Sequence, residues 1–191
     1  MNKQKTKTIY ILLTRTTTVV SRAVHLLTAD DYTHVSISFN KKLQPLYSSS
    51  RKNGRTIFPA GPCKESFKHG YLRTHRNIPC AVYELHVSEE VYERAKHEVE
   101  KVMKHADDYH FNIIGLLLCR FNIAYNRKKN YFCSQFVSEV LKRSRAIKLP
   151  KEVSLMRPSD YMELPELALL FRGKLNDFIR KVNKQSAMRI E

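Results

Sequence analysis

The order of hydrophobic periodicities along the chain constrains its fold more than any single motif. "TIYILLT" (Thr8 to Thr14) is short, β-rich and almost wholly apolar, the pattern of a buried strand. "TTTVVSRAVHLLTAD" follows, with Thr17 or Thr18 as N-cap and Val20, Val24 and Leu27 at helical spacing, which predicts a helix to about Thr28. "YTHVSISFN" then alternates: Val35, Ile37 and Phe39 lie on one face, His34, Ser36 and Ser38 on the other, as in a half-buried strand. "LQPLYSSS" reads as its hairpin partner, with Pro45 near the strand start. Arg51 to Gly70 is rich in Gly, Pro, Lys and Ser and reads as a long irregular loop. "PCAVYELHVS" alternates again, and Ser88 opens a helix whose stripe is Val91, Ala95, Val99 and Val102 or Met103.

The remainder is mostly helical. "HFNIIGLLLCRF" reads as a short buried helix, Phe132 to Lys142 as an amphipathic one, and Arg157 to Gly173 as a turn and a further short helix. A polar tail begins at Lys181. The expected class is α+β, a small antiparallel sheet with helices packed to one side. A single domain over 1–180 and a tail over 181–191 accommodate the 191 residues.

A hydrophobic content of 42% excludes a disordered chain. The net charge of +16 favours an anionic partner. The cations are spread along the chain, the densest cluster being "RKK" at Arg127 to Lys129, and no RNP-type or zinc-finger pattern occurs, so nucleic acid is the less favoured partner. The cysteines at 63, 80, 119 and 133 form no C-x-x-C pair, which speaks against structural zinc. Asp30 and Asp31 lack a second ligand cluster, so no metal or other cofactor is expected. "IYILL" is too short for the core of an export signal, and Arg120 ends "IIGLLLC" far short of a membrane span. The expectation is a cytoplasmic protein with reduced thiols and no transmembrane segment.

Cys133 precedes Phe136, Val137 and Val140 by three, four and seven residues, so it shares their buried face. A small core residue satisfies that pattern. So does a nucleophile: with Asn130 as N-cap, Cys133 sits in the first turn, where free N–H groups and the helix dipole favour thiolate. Among the eight histidines, His34 stands out at the start of a strand, on its polar face.

"THVSISF", the hairpin "LYSSSRKN" and, much later, "NYFCSQFVSEVLKR" together resemble the permuted papain-like cysteine hydrolases. That group includes YiiX-like proteins, lecithin-retinol acyltransferase-like proteins and distant kin of the NlpC-type cell-wall peptidases. In it the histidine strand precedes the cysteine helix, as here. The resemblance spans about Thr8 to Ile147, and "PSDY" at Pro158 to Tyr161 fits the segment that follows. It implies a half-barrel sheet, Cys133 as nucleophile, His34 as general base and a polar group from the next strand to orient the imidazole. That strand offers Tyr47 and three serines and no carboxylate or amide; Ser48 is the expected orienter, weaker than a carboxylate because it carries no charge. Tyr47 and Arg51 are expected to contact substrate. The implied activity is an amidase, peptidase or acyltransferase working through an acyl-cysteine, with an anionic peptide, a cell-wall fragment or a lipid as substrate. The rival expectation is a non-catalytic binding module on the same scaffold, or a basic nucleic-acid-binding protein.

Overall fold

The computed structural model describes residues 5–16, 30–52 and 59–187. The helix expected between Thr17 and Thr28 lies outside them. Among the described residues the sheet has six strands: β1 (Thr6–Thr14), β2 (His34–Ser38), β3 (Leu46–Arg51), β4 (Ala60–Glu65), β5 (Pro79–Ser88) and β6 (Ala168–Lys174), in the order β4-β3-β2-β1-β5-β6. Every pairing is antiparallel. The helices are α1 (Gly70–Thr74), α2 (Glu89–Lys104), α3 (Ile113–Arg120), α4 (Cys133–Arg143) and α5 (Leu175–Ala187).

The apolar run of β1 follows from its place in the middle of the sheet. Ile9, Ile11 and Leu13 point into one core with Val35, Ile37, Ala95, Val99, Phe136, Val137 and Val140. Tyr10 and Leu12 point into a second core with Leu46, Val82, Leu175, Phe178 and Val182. Each of these aliphatic side chains contributes roughly 1.5–3 kcal/mol on full burial. Helices α2 and α4 thus cover one face and α5 the other, whereas the sequence places all helices on one side.

Ser88 caps α2 by accepting from the Val91 N–H, as its sequence position predicts. Three segments differ from their sequence reading. The stretch from Arg51 to Gly70 contains β4, which pairs with β3 from Leu46↔Glu65 to Arg51↔Ala60. Pro62 is tolerated because β4 is an edge strand and needs no second ladder. Gly61 is required there: a Cβ would stand 2.8 Å from the Tyr109 carbonyl oxygen. The run "ALLFRGK" forms β6 rather than a helix, since a short apolar run has no period to distinguish the two. Beyond it, Leu175, Phe178 and Val182 at helical spacing bury one side of α5, and the helix continues past Lys181, where the sequence reads a polar tail. No helix among the described residues is long and apolar enough to cross a membrane.

Candidate active site

Helix α4 starts at Cys133 itself. Phe132 is the N-cap, with no side-chain bond, in place of the expected Asn130, whose amide instead donates to the Lys128 carbonyl. The first intrahelical bond runs from the Phe136 N–H to the Phe132 carbonyl, at 2.9 Å. The N–H groups of Cys133, Ser134 and Gln135 precede it and have no acceptor within the helix. The start of α4 is held from several sides. Ser49 of β3 donates to the Tyr131 carbonyl at 2.6 Å, and Ser134 donates to the Met156 carbonyl at 2.6 Å. Tyr161, fully buried in the "PSDY" turn, donates to the Ser134 carbonyl at 3.1 Å.

His34 is the first residue of β2, opposite Thr14, and its side chain is 12% exposed. Its ring lies close enough to the Cys133 thiol, itself buried, for the thiol to help raise the imidazole pKa. The other partner is Glu65, the last residue of β4. The His34 Nε2–H donates to Glu65 Oε1 at 2.9 Å, which leaves Nδ1 as the ring nitrogen for the thiol. Glu65 also accepts from Ser36 at Oε2 (2.6 Å) and from Ser50 at Oε1 (2.9 Å). Ser36 Oγ lies 3.3 Å from Nε2. The polar face of β2 is therefore dry and bonded rather than solvated.

Burial alone would drive the imidazole toward its neutral form. The Glu65 carboxylate and the Cys133 contact outweigh burial and hold the His34 pKa well above the usual histidine range. Burial likewise pushes the Glu65 carboxyl up, but His34 and the two serine hydroxyls outweigh that and leave it below its ordinary range. The other cysteines lack such a partner. Burial pushes Cys63 and Cys119 up to about 11 and Cys80 up to about 12, so they persist as neutral thiols.

Of the residues expected at the site, the structure sets Cys133 and His34 beside each other and places Glu65, rather than Ser48, against the imidazole. Ser48 is fully buried and its hydroxyl donates to the Val35 carbonyl at 2.7 Å, so it does not orient the imidazole; Glu65 stands against the ring instead. Glu65 was hidden because Gly61 and Pro62 give its strand the composition of a loop. Its one signal is the alternation of Cys63 and Glu65 at the end of that segment. Tyr47 packs half-buried between Phe39 and Lys64, and the Arg51 guanidinium lies 5.3 Å over the Tyr71 ring. Neither residue makes a hydrogen bond or ion pair with Cys133, His34 or Glu65.

A cleft opens beside Cys133. Leu116, Leu117 and Cys119 of α3 form one wall, Phe132 and Pro158 the other, with Arg120 and Arg157 supplying positive charge. The lining is overwhelmingly apolar. Asp30 also borders the cleft and accepts from Ser159 at 3.0 Å, while Asp31 is paired with Arg15. Among the described residues no three His, Cys, Asp or Glu side chains are grouped so as to hold a metal ion. Comparison of the chain with protein-family models, with curated proteins and with solved structures gave no significant match, so the chemistry of the site has to be read from its own geometry.

Proposed function

We propose that the chain is a thiol hydrolase or acyltransferase of the permuted papain-like type, with Cys133 as nucleophile, His34 as general base and acid, and Glu65 as the residue that orients and charges the imidazole. One observation carries this reading: a cysteine at a helix N-terminus lies beside a largely buried histidine whose far nitrogen is bonded to a carboxylate.

The chemistry follows from the geometry. The Cys133 thiol gives its proton to His34 and its sulfur forms a bond to the carbonyl carbon of an ester or amide. The carbonyl electrons move onto oxygen, and the N–H groups at the start of α4 donate hydrogen bonds to the oxyanion so formed. As the oxyanion collapses, the bond to the leaving alcohol or amine breaks, and His34 returns the proton to it. An acyl-cysteine remains. Water, or another acceptor, then loses a proton to His34, attacks the acyl carbon and releases the thiolate. Glu65 stabilises the imidazolium in both halves, which a serine hydroxyl would do only weakly.

A non-catalytic scaffold drew support from the uncharged third position suggested by sequence, and a carboxylate 2.9 Å from the imidazole removes that ground. The test is acyl trapping. Incubation with an activated aryl ester should release a stoichiometric burst of phenol and leave an acyl group on Cys133, mapped by mass spectrometry. Cys133→Ser should show no burst, and His34→Ala one slower by at least about 100-fold. Acylation distributed over surface lysines, with Cys133 unmodified, would sink the proposal.

A further inference from the structure

Large apolar side chains are rarely left in water in one place, and here they are. Among the described residues six are exposed, and five of them lie between Ile113 and Ile123: Ile113, Ile114, Leu117, Phe121 and Ile123. The sequence reading of α3 as a buried helix is thus wrong for one of its sides. Ile113, Leu117 and Phe121 repeat every four residues, and Ile114 lies three before Leu117, so they share a face, while Gly115 and Cys119 face inward. A contiguous apolar patch of this kind marks an interaction surface.

The charge around the patch selects the partner. From Tyr109 to Ser138 the chain has four cations and no Asp or Glu. Arg120, Arg127 and Lys128 are exposed and make no ion pair among the described residues. An apolar helix face bordered by unpaired cations matches the boundary between headgroups and acyl chains of an anionic bilayer.

We infer that α3 and the turn after it form an interfacial docking surface for an anionic lipid membrane, and that the substrate carries an acyl chain drawn from that surface. Two observations join the surface to the thiol. Leu117 is 53% exposed and also lines the cleft that Cys133 borders, so one side chain belongs to both the patch and the cleft. The Asn112 amide, which caps α3, donates to Gln135 Oε1 at 3.1 Å, which ties the docking helix to the first turn of α4. The docking half is independent of the proposed chemistry; the substrate half rests on it.

Flotation with vesicles separates the two. The full chain should float with vesicles of phosphatidylcholine and phosphatidylglycerol, much less with phosphatidylcholine alone, and Cys133→Ser should float like the parent. Ile114→Glu with Phe121→Glu, neither of which lines the cleft, should lower the bound fraction at least about tenfold, as should Arg127→Glu with Lys128→Glu. Both variants should keep the parent's rate of Cys133 alkylation by water-soluble iodoacetamide, which also reports that they fold. Absence of binding to anionic vesicles, or undiminished binding by the Ile114→Glu/Phe121→Glu variant, would overturn the docking surface. A stable dimer or a soluble protein complex abolished by that same variant would assign the patch to another occupant and overturn it equally. Docking without acyl transfer to Cys133 would leave the surface standing and remove the substrate half together with the catalytic reading.

Discussion

Replacing Glu65 by glutamine removes one charge from the site and almost nothing else. The amide oxygen can still accept from the His34 Nε2–H, and the Ser36 hydroxyl can turn to accept from the amide nitrogen, so the ring stays oriented. At the observed 2.9 Å, two unit charges in an effective dielectric of about 20 attract by about 6 kcal/mol. Much of that offsets the cost of burying the carboxylate. A hydrogen bond to a charged group is worth about 1.5–3 kcal/mol net, against about 1 for a neutral one. The net loss should be about 2 kcal/mol, or roughly thirtyfold in the population of the thiolate–imidazolium pair. The assay is the rate of Cys133 alkylation by iodoacetamide near pH 6, followed by mass mapping against a Cys133→Ser background. Glu65→Gln should alkylate roughly thirtyfold more slowly there. A folded Glu65→Gln protein with the parent's rate at pH 6 would refute the idea that this carboxylate charges the pair.

The same pair predicts a pH window for stability. The His34 contribution is fully present below about pH 6.5 and is lost as pH rises through its raised folded value; the Glu65 contribution is present above about pH 4.3 and lost as pH falls through its lowered one. The difference in Tm between parent and Glu65→Gln should therefore peak between those values, and a difference independent of pH would contradict it. Ser48→Ala should leave the alkylation profile unchanged while costing about 1 kcal/mol in chemical denaturation, because its hydroxyl serves the Val35 carbonyl; a collapse of low-pH reactivity would restore Ser48 as orienter. Gly61→Ala forces a Cβ against the Tyr109 carbonyl and should cost about 1–3 kcal/mol, read as a lower Tm, and should slow Cys133 alkylation by displacing the strand that carries Glu65. An unchanged Tm would mean that the edge strand yields freely.

What could be read without coordinates was whatever a period encodes. β1, β2, β5 and α2 follow from alternation, apolar runs and a serine cap, and α4 from its stripe. β4 escaped because its pairing is supplied by β3 and not by its own composition, a long-range effect that local propensity does not contain. β6 is not legible because its apolar run, Ala168 to Phe171, is short and does not alternate, which suits neither strand nor helix uniquely. For the site, Cys133 and His34 each sit at the start of an element with a recognisable pattern. Sequence order points to β3, the next strand, for the partner of His34, while the carboxylate arrives from one strand further out. Ser36 and Ser50 hold it, and nothing in β2 or β3 announces that a charged side chain covers them. The exposure of α3 was invisible too, because an apolar helix reads alike whether protein or something else covers it.

The order in which the site's parts occur along the chain has a consequence for how the molecule is made. A ribosome releases residue 34 and residue 65 well before residue 133, so the proposed base and its carboxylate exist before the proposed nucleophile. Cys133 becomes the first residue of a helix and meets His34 only when α4 docks on β2 and β3, a closure held by Ser49 on one side and Tyr161 on the other. Until then the thiol is one cysteine among four, without a partner to take its proton. On the proposed reading, the nascent chain cannot acylate itself or its neighbours while it is still unfinished.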